Sequence, residues 1–361
     1  MSYFIGLMIG SSLDSIDVVV VDITQDNINV INALEVELLP QLRSKLLNIN
    51  AKFFLKLEDL LALERDLTME MISAIEIIMS LVDIDISTIE AIGVHGYTCA
   101  HQPDVANSLQ LVNANMLAAK FNTKVVADFR RLDMANGGQG APLLPAFHYH
   151  LWKNHLNVAV LNIGGMANVT LLHKDSLLGF DTGPGNVLLD AWVRLKLNID
   201  YDKNGAIARK GMVITDLLDS LKQHGFFHQP APKSTSRDDF NLELLLKFVK
   251  DKYKVEDVQA TLVELTAWSI ALGVNNFAAC DKIYVCGGGA FNAFLLERIK
   301  VHTNKAVCSV QDLGWSPVYL EATAFAWLAY RRVKNITTEL KTVTGAIKNC
   351  VLGALYNGKG Y

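Results

Sequence analysis

Cysteine is scarce in this chain of 361 residues, and no spacing pattern connects the five that occur. Their number is odd and no Cys-x-x-Cys pair is present, which argues against a disulfide framework and against a cysteine-based zinc site. Such usage is typical of a protein in a reducing cytoplasm, which is where we expect this one. The five are Cys99, Cys280, Cys286, Cys308 and Cys350.

Long apolar runs and a strong charge of one sign are missing as well. No stretch of about 18 uninterrupted apolar residues occurs, so we expect no membrane span. The N-terminus has no basic segment, and Asp14 and Asp17 interrupt its apolar residues early, which argues against a signal peptide. A net charge of −4 with both signs mixed gives no electrostatic footprint for nucleic acid or an anionic membrane.

Two common glycine motifs of nucleotide binding are also absent. Lys233-Ser234-Thr235 is not preceded by the glycines of a P-loop, which excludes that motif. The triplet Gly287-Gly288-Gly289 lacks the Gly-x-Gly-x-x-Gly spacing, which argues against a nicotinamide-dinucleotide fold.

The chain does have length, apolar content and a repeated pattern. With 361 residues and 51% hydrophobic residues, it is long enough for two domains with sizeable cores. A strand, a glycine turn and a second strand open the chain at 3–23, and the same order recurs at 158–172. We therefore predict two duplicated α/β halves. A cluster of glycines and prolines at 136–145 is a candidate seam between them.

The segment Gly179-Phe180-Asp181-Thr182-Gly183-Pro184-Gly185-Asn186 carries the strongest chemical signal. It places one carboxylate before a Gly-Pro-Gly turn and a predicted helix, where glycines let the backbone approach a ligand. A rigid acid beside accessible amides suits proton abstraction next to a phosphate. The alternative is a plain strand-to-helix turn in which Asp181 caps the helix.

Three other glycine turns have both a binding and a structural interpretation. Gly10-Ser11-Ser12 and Gly164-Gly165 could cradle phosphate with backbone N–H groups, or could be tight hairpins. Asp14 and Asp17 could hold a hydrated magnesium ion or could be ordinary turn carboxylates. The triplet at 287–289 follows an apolar strand and precedes a helix, which favours a close approach to a flat or anionic ligand.

Together these features resemble the superfamily of acetate and sugar kinases, heat-shock chaperones and actin, and within it the anhydro-N-acetylmuramic acid kinase family. The resemblance covers nearly the whole chain with the order of the motifs preserved. The matching blocks are 6–17, 93–96, 125–131, 137–143, 161–165, 179–186, 232–235, 257–261, 286–290, 321–322 and 344–346.

The resemblance implies two actin-like, ribonuclease H-like domains around an interdomain cleft. They would cover 1–128 and 129–339, with the tail at 340–361 packing back on the first. ATP would phosphorylate the 6-oxygen of 1,6-anhydro-N-acetylmuramic acid while water opens the anhydro bridge. The product would be N-acetylmuramic acid 6-phosphate, an intermediate of cell-wall recycling. A homodimer is compatible with this interpretation.

The resemblance also assigns site residues. Asp181 would be the general base, and Asp14 would hold Mg²⁺ through water. Sugar contacts are expected from His95, Thr98, Arg130 and Glu321. ATP contacts are expected from Gly10, Ser11, Ser12, Leu13, Asp14, Ser15, Ile16, Asp17, Gly164, Gly165, Gly287, Gly288 and Gly289.

The chain departs from the family pattern at five points. In the family's first turn, Ile9 stands where a serine is usual and Ser11 where a threonine is usual. Ser15 stands where the family's first turn has a glycine, and it would resist a positive φ there. Tyr97 replaces the usual glutamine after His95-Gly96, near the expected sugar site, and Ser236 replaces another glycine. The alternatives are therefore a different or disabled small-molecule kinase, or an ATP-gated binding module of the same superfamily.

Overall fold

The computed structural model describes residues 2–10, 13–25, 27–51, 56–154, 157–173, 176–276 and 280–358. The chain divides into two compact units. The first unit comprises Met1–Ala141, Tyr319–Lys341 and Gly345–Tyr361, and the second comprises Pro142–Val318 and Thr342–Thr344.

Both units contain strands and helices. The strands are β1 Tyr3–Ile9, β2 Ser15–Ile23, β3 Ile28–Glu37, β4 Ile89–Val94, β5 Tyr97–Gln102, β6 Asn107–Leu111, β7 Lys124–Ala127, β8 Val158–Ile163, β9 Met166–His173, β10 Ser176–Pro184, β11 Lys282–Cys286, β12 Ala306–Ser309 and β13 Ala354–Asn357. The helices are α1 Pro40–Ala51, α2 Leu57–Ser80, α3 Ala114–Phe121, α4 Arg131–Ala135, α5 Leu144–Trp152, α6 Val187–Leu197, α7 Thr215–Lys222, α8 Leu242–Leu246, α9 Val255–Asn275, α10 Ala293–Thr303, α11 Leu320–Val333 and α12 Lys341–Thr344. None of these helices is long and apolar enough to cross a membrane.

The sheet of the first unit has the order β13-β7-β4-β1-β2-β3. Strands β1, β2 and β3 pair antiparallel, whereas β4 and β7 continue from β1 in parallel. Helix α11 lies directly against β1 and β4, because Gly6 and Gly93 stand opposite each other there. A Cβ at Gly6 would strike the Ala322 carbonyl, and one at Gly93 would strike the Phe325 carbonyl. The two glycines therefore allow helix and sheet backbones to approach closely.

The sheet of the second unit has the order β10-β9-β8-β11-β12. Strands β8, β9 and β10 are antiparallel, and β11 and β12 continue from β8 in parallel. This is the arrangement of β1, β2 and β3 followed by β4 and β7 in the first unit. The predicted duplication of an actin-like α/β domain is thus confirmed at the level of strand order and direction.

Each unit has its own apolar core. In the second unit, β8 is buried along its whole length, as expected for a strand covered on both faces. Helix α9 is buried over most of its surface and packs on β9 and β10. In the first unit, β1 and β2 are mostly buried, while β3 forms the more exposed edge.

The units differ from the predicted domains in three segments, one of which is 342–344, a part of the tail that belongs to the second unit. Residues 129–141 were predicted to belong to the second domain, but they belong to the first unit. The boundary between the units, at Ala141, falls in the predicted seam. Arg130 accounts for this placement because it bonds to His95 after β4. Helix α11 also belongs to the first unit, since it packs on β1 and β4. Strand β13 of the tail pairs antiparallel with β7.

Candidate active site

Asp181 lies in strand β10 rather than at a helix cap. The N-cap of α6 is Asn186, whose side chain makes no capping bond. Asp181 is buried, its backbone N–H donates to the Lys233 carbonyl at 2.9 Å, and its Oδ2 accepts from the Thr235 N–H at 2.9 Å. Backbone and carboxylate are thus both held, which suits a group that must accept a proton in a fixed direction.

Two asparagines stand in one cross-strand row with Asp181. Asn168 on β9 is opposite both Asn162 on β8 and Asp181 on β10. Directly opposed residues share a face of the sheet with Cβ atoms about 5 Å apart. The Asn168 Oδ1 atom is buried and has no hydrogen-bond partner among the described residues. The row therefore places the Asn168 amide beside the carboxylate and the Asn162 amide one strand further along the same face.

Asn162 and Asn168 are candidate site residues that the sequence interpretation missed. Their proximity to Asp181 depends on β10 being a strand, whereas the glycines and proline of that segment predict only a turn. The hairpin of β9 and β10 has an irregular register after Asp181, and Gly183 has a φ of 143°. Because of this irregular register, β10 continues as a strand through Gly183 and Pro184.

Gly164-Gly165 forms the turn between β8 and β9, and the carbonyl groups of both glycines accept hydrogen bonds within the protein. They accept hydrogen bonds of 2.8–3.1 Å from the N–H groups of Gly185, Asn186 and Val187. The Gly164 N–H itself donates to the Met166 carbonyl at 3.1 Å. The expected phosphate contact from that amide is therefore not supported, because the amide is occupied. The turn instead fixes the start of α6.

The three glycines after β11 differ from one another. Gly287 has a φ of 77° and donates its N–H to the Pro317 carbonyl at 2.8 Å. A Cβ at Gly289 would collide with the Ile163 side chain. A Cβ at Gly288 would have one described atom within 4 Å, the Asn186 Nδ2 at 3.8 Å. Only Gly288 therefore leaves open space beside its backbone, as a ligand-facing glycine requires.

In the first unit, the turn between β1 and β2 holds several predicted nucleotide contacts. Ser11 and Ser12 lie outside the described residues. The Leu13 N–H donates to the Gly10 carbonyl at 3.1 Å, and Leu13 has a φ of 57°. The positive φ thus falls on Leu13 and not on Ser15. Ser15, Ile16 and Asp17 already belong to β2, so the serine at 15 causes no strain.

Asp14 stays a predicted magnesium contact through water. Its carboxylate forms an ion pair with Arg43. Among the described residues, no group of three histidine, cysteine or acidic side chains is arranged to hold a metal ion. Protein side chains therefore provide no magnesium cage in this part of the chain.

Asp17 is one of three carboxylates near each other in the first unit. Burial, followed by the charges of Glu35 and Glu321, raises the pKa of Asp17 from 3.8 to about 8. The Asp17 carboxyl is therefore mostly protonated at neutral pH. Glu321 lies in the first turn of α11, so the predicted sugar contact and the predicted nucleotide contact are electrostatic neighbours.

Arg130 and His95 form a fixed pair. Arg130 Nε and Nη2 lie 3.1 and 2.8 Å from His95 Nε2, and Arg130 Nη1 donates to the Gly140 carbonyl at 2.7 Å. A guanidinium only donates, so His95 Nε2 accepts and Nδ1 donates to the Gly96 carbonyl at 2.8 Å. Burial and Arg130 lower the pKa of His95 well below its usual range. His95 is thus neutral and orients Arg130.

The next two residues of this block have different environments. Thr98 is half-buried on β5, and its Oγ1 accepts from Gln110 Nε2 at 3.3 Å. Tyr97 is 2% exposed and belongs to the apolar core of the first unit. The tyrosine that departs from the family pattern at position 97 therefore packs in the apolar core of the first unit.

The comparisons with known proteins agree over the whole chain. The sequence model of the anhydro-N-acetylmuramic acid kinase family matches residues 2–358. The chain belongs to the anhydro-N-acetylmuramic acid kinase family. It is 42% identical over 364 residues to the anhydro-N-acetylmuramic acid kinase of Aliivibrio fischeri, covering 99% of each chain. It is 40% identical to the Haemophilus influenzae protein of that name, covering 98% of this chain and 97% of the relative.

A solved structure outside the family has a similar fold. The (R)-2-hydroxyglutaryl-CoA dehydratase component A of Acidaminococcus fermentans aligns with a TM-score of 0.50 at 11% identity. The alignment covers 92% of this chain and 100% of that one. As a member of the anhydro-N-acetylmuramic acid kinase family, the chain is an ATP-dependent sugar kinase. The ATP-gated binding module is not favoured.

Proposed function

We propose that this chain converts 1,6-anhydro-N-acetylmuramic acid to N-acetylmuramic acid 6-phosphate at the expense of ATP. Water attacks the anomeric carbon, the bond from that carbon to the bridging 6-oxygen breaks, and the 6-oxygen takes the γ-phosphoryl group. ADP leaves, and the proton of the attacking water passes to a base. The supporting observation is the end-to-end match to relatives of this name, together with a held carboxylate at Asp181.

Asp181 is the base in this proposal. The N–H of Thr235 occupies one side of Oδ2, which orients the carboxylate without adding a competing charge. Asn168 and Asn162 provide amides on the same sheet face that could orient the water or the sugar. A positioned general base contributes about 10²–10⁴-fold to a rate.

The first unit provides the sugar contacts. Arg130 is a cation whose direction is fixed by His95 and Gly140, which suits the carboxylate or phosphate of a muramic acid derivative. Thr98 and Glu321 are hydrogen-bonding groups for the sugar. His95 acts by holding Arg130 and not by touching the sugar, since both of its ring nitrogens are already paired.

ATP contacts are proposed at the first turn, including Gly10, and at Gly288. Magnesium would arrive coordinated to the ATP phosphates, with Asp14 as the proposed protein contact through water. The five cysteines are present as thiols, which is consistent with a cytoplasmic enzyme. A homodimer stays a prediction.

The proposal is tested by measuring ADP release in the presence of ATP, magnesium and the anhydro sugar. We expect release to depend on that sugar and to be far slower with N-acetylmuramic acid, which lacks the bridge. Equal rates with and without the anhydro sugar would contradict the proposal.

A further inference from the structure

A loop at 233–239 is bonded directly to Asp181. The Lys233 carbonyl accepts from the Asp181 N–H, and the Thr235 N–H donates to Asp181 Oδ2, each at 2.9 Å. Two residues of one loop therefore fix the backbone and the carboxylate together. The direction of the carboxylate depends on where this loop sits.

Lys233 anchors the first end of the loop. Its side chain is buried, and its ammonium donates to the Phe226 carbonyl at 3.0 Å while lying 4.3 Å from the Phe226 ring centre. Phe226 packs in turn against Phe227 and Phe240 in the core of the second unit. Burial lowers the pKa of the Lys233 ammonium. A buried cation with one carbonyl partner fixes the loop firmly, because leaving that partner would be costly.

Asp239 anchors the second end. Its Oδ2 accepts from the Thr235 hydroxyl at 2.7 Å and from the Ser236 N–H at 3.3 Å. Thr235 is therefore held from both sides, with its hydroxyl bonded to Asp239 and its N–H to Asp181. The plane of the peptide that contacts Asp181 is set by these two bonds.

We propose that Lys233 and Asp239 are positioning residues for Asp181, holding the loop whose Thr235 amide directs the catalytic carboxylate. This inference rests on the proposed function, in which Asp181 is the base. Both residues act through the loop, so loss of either anchor lowers kcat and leaves the KM for ATP unchanged. Misdirection of a reacting group by about 1 Å can cost on the order of 10²-fold in rate.

Asp239 offers a matched test because its neighbour is also an exposed aspartate. Asp239→Ala removes both bonds to the loop, whereas no bond to the Asp238 carboxylate is described, so Asp238→Ala is the control. In the full-length enzyme we expect Asp239→Ala to reduce kcat roughly 10-fold or more at unchanged KM for ATP. Asp238→Ala should match the wild type. Equal kcat values for the two variants would overturn the inference.

Lys233 gives an independent test with a conservative rescue. Lys233→Met keeps the apolar stem and loses the ammonium, whereas Lys233→Arg keeps a cation that can bond to the Phe226 carbonyl. Lys222→Met is the control, since the Lys222 ammonium also lies over an aromatic ring, that of Trp268. We expect low kcat for Lys233→Met, recovery in Lys233→Arg and no change in Lys222→Met.

The outcomes separate the two proposals. A folded Lys233→Met variant with wild-type kcat would contradict the positioning role. If Lys233→Met does not fold, the comparison of Asp239→Ala with Asp238→Ala still tests the positioning role. An inactive wild type would instead refute the proposed function itself.

Discussion

At the scale of single residues, the surroundings of Asp181 separate orientation from proton transfer. An asparagine at 181 can still accept the Thr235 N–H and keep the strand in place, but it cannot take a proton. The backbone N–H of residue 181 remains bonded to the Lys233 carbonyl. Substitution at this position therefore changes chemistry with little change in structure.

We predict that Asp181→Asn lowers turnover by about 10²–10⁴-fold while ATP binding persists. Steady-state kinetics and calorimetric titration with ATP measure the two properties. The matched variant Asp219→Asn, on α7, should behave as the wild type. Near-normal turnover of Asp181→Asn would remove the residue from the role of base.

His148 is a second residue with a defined consequence. It is fully buried, its Nδ1 lies 2.7 Å from Thr170 Oγ1, and its ring stacks on Trp152. Burial lowers the pKa of His148 from 6.5 to about 3. Between these values the unfolded chain binds a proton that the folded chain does not. The stability that this residue contributes is thus complete above pH 6.5 and is lost as the pH falls towards 3.

We predict that His148→Gln reduces the acid sensitivity of folding. Between pH 7 and pH 5, the free energy of unfolding should fall by about 2 kcal/mol less in the variant than in the wild type. Urea denaturation at both pH values measures this difference. As a control, a His228→Gln variant, changed at an exposed histidine, should lose as much stability as the wild type between the two pH values. An equally large loss for His148→Gln would show that the buried His148 does not cause the acid sensitivity.

The functional role of a residue could be predicted from the sequence only where the residues that indicate it lie in one short segment. Asp181 was found because carboxylate, glycine and proline stand next to each other, and the glycines at 287–289 were found because they are consecutive. The pairing of Arg130 with His95 joins positions 35 residues apart. The anchors Lys233 and Asp239 act through a loop whose contact with Asp181 is purely tertiary. No local pattern encodes such contacts.

At the scale of elements, the turn after β11 divides its glycines between folding and binding. Gly287 needs its positive φ, and Gly289 leaves room for Ile163. Neither reason requires a glycine at position 288, where the space beside the backbone is open. The sequence predicted the turn between a strand and a helix, but the difference among the three glycines follows from the position of β8.

We predict that Gly288→Val weakens ATP binding by roughly 10-fold or more while the melting temperature stays close to that of the wild type, because a side chain there enters ligand space. Gly289→Ala should instead lower the melting temperature, because its Cβ collides with Ile163. Calorimetric titration with ATP and thermal unfolding separate the two. A Gly288→Val variant that loses stability but not ATP affinity would favour a purely structural turn.

At the scale of the whole molecule, two sheets with one strand order account for the repeated pattern in the sequence. The openings of both halves were predictable because β1 and β8 are continuous apolar strands followed by glycine turns. The place of α11 was not, since it packs on strands more than 200 residues away. The resemblance implied that the tail packs on the first domain, but not that its strand β13 pairs with β7. The close approach at Gly6 and Gly93 draws α11 into the first unit.

The identity of the reaction product tests the central claim most directly. The full-length enzyme is incubated with ATP, magnesium and 1,6-anhydro-N-acetylmuramic acid, and the sugar product is analysed by mass spectrometry. We predict a species heavier than the substrate by one phosphoryl group and one water, formed together with an equal amount of ADP and absent with Asp181→Asn. A phosphorylated sugar without the added water, or ADP formed with no sugar product, would contradict the account.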